Sequence, residues 1–161
     1  MPLVEEMEIT VFVNSDHAHD KVTRQSITGL IMIVGSTPLL YYSKRQGAVE
    51  TSNYSTEFME MCHVVEEVCS LQYMLICLGV HVENASHVYG YNLGVIENTT
   101  IKDSLLKNKH VAISYQFFCE AIVAGVIFPI KIASADNNSD CLTKSLPIRD
   151  HHRLVNGLFY G

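Results

Sequence analysis

Residues 7–14 alternate in a way that leaves little choice of local structure. Met7, Ile9, Val11 and Val13 are interleaved with Glu8, Thr10, Phe12 and Asn14, which is the period of a β-strand with two distinct faces. Such a strand must sit in a sheet with its apolar face on a core. The run ends in Asn14-Ser-Asp-His-Ala-His-Asp20, a cluster of polar, metal-capable side chains at the strand end. Asn14 and Asp16 fall on the same face there. His17, His19 and Asp20 have the chemistry of a transition-metal site, although an exposed hairpin explains them more simply.

Ser26–Val34 reads as a second, buried strand, Gly35-Ser-Thr-Pro38 as a turn, and Leu39–Ser43 as a third strand, with Lys44–Val49 as a loop. Three consecutive strands without a helix between them predict an antiparallel meander. From Ser52 the period becomes helical. Phe58, Met61, Cys62, Val65, Cys69 and Ile76 form the predicted core stripe, and Gly79 stops the helix. His87–Tyr91 is a short strand, parallel to the first if the long helix crosses between them. Leu93–Glu97 predicts a brief helix, and Leu105–Ala124 a longer one with Leu106, His110, Ile113, Phe117 and Ala121 inward. Ile127–Ala133 predicts a last strand. Asn138–Phe159 predicts a terminal helix broken at Pro147. The order is β-β-β-α-β-α-α-β-α, an α/β chain with a mixed five-stranded sheet.

With 161 residues, 48% of them hydrophobic, one domain spanning 1–161 with a substantial core is expected. No apolar run approaches the roughly 20 residues of a membrane span. The opening MPLVEEMEIT lacks the basic-then-apolar pattern of a signal peptide. Both point to an intracellular chain, cytoplasmic or nuclear, without a membrane partner. Cys62, Cys69, Cys77, Cys119 and Cys141, an odd set without a CxxC pair, are expected to pack as small apolar residues. The glycosylation sequons at Asn53, Asn84, Asn98 and Asn137 are read as chance. A formal charge of −6 disfavours broad nonspecific attraction to nucleic acid. Lys44-Arg45 and the spread Lys102, Lys107 and Lys109 are the candidates for a local patch, with an ordinary solvated surface as the alternative.

The segments VNSDHAHDKVTRQSITGL, YYSKRQGAVETSNYSTEF, YGYNLGVIENTT, KHVAISYQF and NNSDCLTKSLP occur in the order found in the ribonuclease H domain of copia-type LTR retrotransposon polyproteins, and the chain resembles that family over nearly its whole length. The resemblance implies a ribonuclease H-like fold. It also implies an activity, cleavage of the RNA strand of an RNA–DNA hybrid by two divalent metals held on four carboxylates. Two Mg²⁺ or Mn²⁺ ions about 3.5–4 Å apart activate water and stabilise the leaving oxygen, which requires dense negative charge.

Residue by residue, the family's first acid falls on Asn14, where the pattern reads V-D-x-D. The second falls on Glu57, the third on Tyr91 in place of the acid of G-D-N, and the fourth on Asp140. Two carboxylates are retained and two are lost. An amide at Asn14 brings a carbonyl oxygen without charge, and the phenol of Tyr91 is neutral at pH 7. Asp16 matches the second aspartate of V-D-x-D and so fills its usual place. Glu57 and Asp140, with Asp16 as a third candidate, would bind a metal weakly at best. After the Lys109-His110 motif, two family arginine positions are Phe117 and Cys119, removing bidentate phosphate contacts. Lys44, Arg45, Lys109 and Lys144 still match.

These departures imply a retrotransposon-derived ribonuclease H-like domain that no longer cleaves, needs no cofactor, and retains weak binding to a hybrid or other nucleic acid, or to a protein partner. The alternative is a divergent hybrid-specific endonuclease working with Mg²⁺ or Mn²⁺ on Glu57, Asp140 and Asp16.

Overall fold

The computed structural model describes residues 7–16, 22, 25–46, 53–82, 84–90 and 109–160, with 53–59 and 109–111 described by their backbone alone. Five strands are present: β1 Ile9–Asp16, β2 Ile27–Val34, β3 Thr37–Arg45, β4 Ser86–Gly90 and β5 Ile127–Lys131. They form one sheet in the order β3-β2-β1-β4-β5. β1, β2 and β3 make the expected antiparallel meander, whereas β1–β4 and β4–β5 are parallel. The helices are α1 Asn53–Cys77, α2 Lys109–Val123, α3 Asp140–Thr143 and α4 Ile148–Phe159, with a 3₁₀ turn at Ser134–Asp136 before α3. This is an α/β fold with a mixed five-stranded sheet. The helix expected at Leu93–Glu97 lies outside the described residues.

The alternation of β1 works as it reads. Ile9, Val11 and Val13 are at most 2% exposed and pack with Leu30, Met32 and Val88 against α1 and α2. β2 is covered on both sides, so Leu30, Ile31 and Met32 in succession are all buried, the continuous apolar pattern of a central strand. α3 lies on the opposite sheet face from α1 and α2. α4, with Leu154 buried, packs against α3 and β3.

Several expectations are corrected. β3 runs from Thr37 to Arg45, so the turn shrinks to Gly35-Ser36, and Lys44 and Arg45 are strand residues paired with Thr28 and Ile27 rather than loop residues. Pro38 is tolerated because β3 is an edge strand and the register slips at Met32/Ile33. On α1 the buried stripe is Met61, Val64, Val65, Val68 and Leu71, whereas Cys69 and Ile76 face solvent. On α2, Ile113 and Phe117 are exposed at 58% and 38%, and the core positions are Phe118 and Ala121. The side chains of Phe58 and His110 lie outside the described residues. Cys69 and Cys77 are exposed, contrary to the expected packing of the cysteines, and Cys62, Cys119 and Cys141 are half-buried.

Both long helices end as the glycines predict. Val80 N–H bonds Leu75 O and Gly79 N–H bonds Ile76 O, with Gly79 at φ 78°. Val126 and Gly125 repeat the pair on Ala121 and Ile122, with Gly125 at φ 71°. These are Schellman caps, which need a left-handed residue that glycine adopts without a Cβ clash. Among the described residues no helix is long and apolar enough to cross a membrane.

Candidate functional site

The strand end singled out by the sequence is where α3 docks. Asn14 of β1 pairs in register with Gly29 of β2, and Gly29 with Ser43 of β3. This row of three residues forms a seat for α3. Asn14 Nδ2 donates to Thr143 Oγ1 at 2.8 Å, and Ser43 Oγ donates to Leu142 O at 2.7 Å. Between them the backbone of Gly29 is in contact range, since a Cβ there would lie 2.8 Å from Thr143 Cγ2, 2.9 Å from Leu142 Cβ and 2.9 Å from Ser139 O. Glycine is required by this approach.

A second tie comes from Asn137, which is fully buried. Its side chain reaches the last part of β1, where Val13 O accepts from Asn137 Nδ2 at 2.9 Å, while its Oδ1 accepts from Ser139 N (3.1 Å) and Ser139 Oγ (2.6 Å). This Asx-type turn joins the loop after β5 to β1 and aims the start of α3. The sequon at Asn137 therefore cannot carry a glycan in this fold.

Asp140, the first residue of α3, is 4% exposed. Its Oδ2 accepts from Ser134 Oγ at 2.9 Å and from Lys144 Nζ at 3.1 Å, and Lys144 also reaches Ser134 Oγ at 3.3 Å. One ammonium thus accompanies one buried carboxylate. Its other oxygen, Oδ1, is buried with no hydrogen-bond partner among the described residues. Burial, then the charge of Asp140, pushes the neighbouring Cys141 thiol up from its ordinary range, against the lowering effect of its backbone hydrogen bond.

The Asn14 amide is more than an acid with its charge removed. Thr143 Oγ1 donates to Asp140 O at 3.3 Å, so its lone pairs face Asn14 and call for a donor there. Asn14 Nδ2 meets that demand, whereas a carboxylate would present only acceptors.

On the other sheet face, Glu60 of α1 is buried at 6% exposure. It accepts from Thr28 Oγ1 at 2.7 Å and from Gln46 Nε2, which also donates to Thr28 Oγ1 at 3.0 Å. This cluster fastens to the end of β2 the part of α1 that begins one turn after Glu57. Burial, then Glu67 and Glu60, raises the pKa of the adjacent Tyr42 phenol.

The sequence-derived candidates are thus brought together in part. Asn14 meets α3, the helix that opens with Asp140, through Thr143, and Asp16 lies on the same face of β1 as Asn14. Lys44 and Arg45 sit at the exposed end of β3, where Arg45 shares the Asn14 face and Lys44 the opposite one. Glu57 lies in the second turn of α1, but its side chain lies outside the described residues. So do Tyr91, His17, His19, Asp20 and the side chain of Lys109. Among the described residues no three His, Cys, Asp or Glu side chains converge as a metal site. The residues that sequence reasoning missed are Gly29, Asn137, Ser139 and Thr143. Only the Asn137-Asn-Ser139 turn pattern carried a local signal for any of them.

Compared with known proteins, the chain is 25% identical over 140 residues to the retrovirus-related Pol polyprotein from transposon RE1 of Arabidopsis thaliana, covering 87% of this chain. It is 24% identical over 140 residues to that from transposon RE2 of the same plant, again over 87% of this chain. To the Pol polyprotein from transposon TNT 1-94 of Nicotiana tabacum it is 25% identical over 136 residues, or 84% of the chain. In each case the match spans 10% of the polyprotein, so the chain corresponds to about a tenth of the length of these relatives. No protein-family model matches. The chain has homology at modest identity to transposon Pol polyproteins over most of its length.

Proposed function

We propose that this chain is a ribonuclease H-like domain derived from a copia-type retrotransposon polyprotein, that it does not cleave, and that it acts by binding. The Pol homology, a three-stranded meander continued by helix-crossed parallel strands, and the ordered motifs support the family. The observation that carries the loss of catalysis is the wiring of the strand end, where Asn14 is committed as a donor to Thr143 and Asp140 shares one oxygen with Lys144 and Ser134.

This arrangement does not fit a two-metal site. A bridging first-strand ligand must offer anionic oxygen to both ions, and Asn14 turns a nitrogen toward α3. Lys144 already supplies one of the positive charges that metals would bring to Asp140. The buried Oδ1 of Asp140 favours a second reading, a weak single-metal endonuclease using Glu57, Asp140 and Asp16.

The binding role rests on Lys44 and Arg45 at the exposed end of an edge strand, close to the strand end where the ribonuclease H-like reading places the hybrid. In an overall acidic chain this is a local contact, whose affinity would fall steeply with salt. Changing Lys44 and Arg45 to alanine should flatten the slope of log affinity against log salt by about 0.9 for each phosphate no longer neutralised.

The test is a labelled RNA–DNA hybrid incubated with the chain in Mg²⁺ or Mn²⁺. No specific cleavage is expected. Metal-dependent cutting abolished by Glu57→Gln would overturn the proposal in favour of the endonuclease. If cutting arises only after Asn14→Asp with Tyr91→Asp, the natural chain is a silent relative whose frame remains competent.

A further inference from the structure

We propose that the outer edge of β3 takes up an extended peptide as an added antiparallel strand, with one apolar side chain held between β3 and α4 and acidic residues three and four positions before it beside Lys44 and Arg45. β3 is the last strand of the sheet on its side. Gln46 N–H bonds Ser26 O at 2.8 Å, one step beyond the Arg45↔Ile27 pair, and hydrogen-bonded pairs alternate along an antiparallel ladder. Lys44 and Tyr42 therefore exchange bonds with Thr28 and Leu30, and the N–H and C=O groups of Tyr41 and Ser43 turn to the outer edge. Among the described residues no backbone group pairs with them there. Pro38 and the register shift at Met32/Ile33 guard the start of the strand against pairing, which leaves the middle stretch as the template.

A groove beside that stretch offers a side-chain pocket. It has a volume of about 200 Å³ and lies between β3 and α4, with Ile31, Pro38, Tyr41, Val155, Leu158 and Phe159 in its lining. Small-molecule sites enclose about 300–1,000 Å³, so the groove suits a single side chain better than a cofactor. The Cys141 thiol, which also lines it, is engaged already, donating to Asn138 O at 3.0 Å. Tyr41 and Phe159, 66% and 59% exposed, leave the lining open to solvent. A peptide residue opposite Tyr41 points its side chain to the same sheet face as Tyr41, which is the face of the groove. In strand addition the main-chain bonds along an edge give affinity, and pockets for alternate side chains give specificity.

Charge selects the sequence of the peptide. Thr37–Arg45 carries two exposed cations, Lys44 and Arg45, and no Asp or Glu. In an antiparallel strand the residues three and four before the apolar one stand opposite Lys44 and Arg45, where an opposite charge is favourable across strands. A second copy of β3 has no acid to place there. A nucleic acid has no alternating N–H and C=O groups to satisfy the edge.

The experiment titrates the isotope-labelled 161-residue chain, free of nucleic acid, with the acetylated and amidated peptide Glu-Glu-Thr-Thr-Leu-Thr-Thr. Saturable shifts of the Tyr41 and Ser43 amide resonances are expected, with a dissociation constant below about 1 mM. N-methylation of the leucine removes the N–H that faces Tyr41 O and should weaken binding about tenfold. N-methylation of the threonine just before it, whose N–H faces away from β3, should leave the affinity unchanged. The reversed peptide, Thr-Thr-Leu-Thr-Thr-Glu-Glu, should bind about tenfold more weakly. So should the original peptide with Phe159→Glu, a change at an exposed helix end that keeps the fold, which circular dichroism checks. No binding at 1 mM peptide overturns the proposal. So does an equal loss from the two N-methyl peptides, a reversed peptide held as tightly, or indifference to Phe159→Glu. Tighter binding of a peptide copied from Thr37–Arg45 overturns it as well, in favour of a second copy at this edge.

Discussion

Gly29→Ala tests whether the seat beneath α3 is as tight as it looks. The new methyl would lie 2.8 Å from Thr143 Cγ2 and 2.9 Å from Leu142 Cβ, and those side chains have little room to turn. The third neighbour, Ser139 O at 2.9 Å, is backbone and cannot rotate away. Relief therefore requires α3 to lift from the sheet, stretching the Asn14–Thr143 and Ser43–Leu142 hydrogen bonds together. Overpacking of this kind costs about 1–3 kcal/mol. For a chain of this size each kcal/mol lowers the melting temperature by roughly 2–4 °C, so a mid-range cost gives a drop of about 4–8 °C by thermal circular dichroism. Gly157→Ala is the comparator, because nothing lies within 4 Å of a Cβ there and the residue is inside α4. Helix propensity alone should make it stabilising by up to about 1 kcal/mol. A Gly29→Ala chain that melts with the wild type would refute the close packing of α3 on β2.

Asn14→Asp should destabilise the fold by about 1–2 kcal/mol, because Thr143 Oγ1 loses its donor and gains an opposing acceptor. Urea unfolding measures this, and a stabilised variant would mean that the hydrogen bond runs the other way. Thr143→Val should cost a similar amount, and the two losses should fall well short of additive, since each removes the same bond. The raised pKa of Tyr42 gives a pH dependence. The folded chain holds the phenol proton more tightly than the unfolded chain does, so this contribution is intact below pH 10 and is lost as pH rises from 10 through the folded-state value. Tyr42→Phe should lessen the loss of stability above pH 10 in alkaline melts, and an unchanged alkaline limb would contradict burial of the hydroxyl.

The sheet was legible because a strand has only two faces. Once Ile9, Val11 and Val13 were assigned inward, Asn14 and Asp16 had to share the other side. The phase of the helices was not legible. α1 carries apolar residues around much of its circumference, and the positions that turned inward, Val64, Val68 and Leu71, were chosen by the sheet and α2 rather than by periodicity. Cys69 and Ile76 looked like core for the same reason. Lys44 and Arg45 were read as loop because polar residues at a strand end resemble one. Their pairing follows from how tightly the Gly35-Ser36 turn closes, which sets the register that brings them opposite Thr28 and Ile27.

The candidate site was half legible. The motif positions of Asn14, Glu57, Tyr91 and Asp140 could be read one at a time, but what they touch could not. Asn137 matters because it bonds Val13 O, 124 residues away in the chain, and Gly29 because a four-residue helix lies on it. Both are long-range facts without a local signature. Lys144 stands four residues after Asp140, a spacing common on helices, and only the fold turns it into the buried carboxylate's partner.

If the strand end is wired against a metal pair, counting bound Mn²⁺ shows it most directly. Titrated into the chain at sub-millimolar concentration, Mn²⁺ should keep the electron paramagnetic resonance amplitude of the free ion, with no saturable loss of signal. Two equivalents of Mn²⁺ disappearing per chain, and returning to solution on Asp140→Asn, would mean that the strand end holds a metal pair after all.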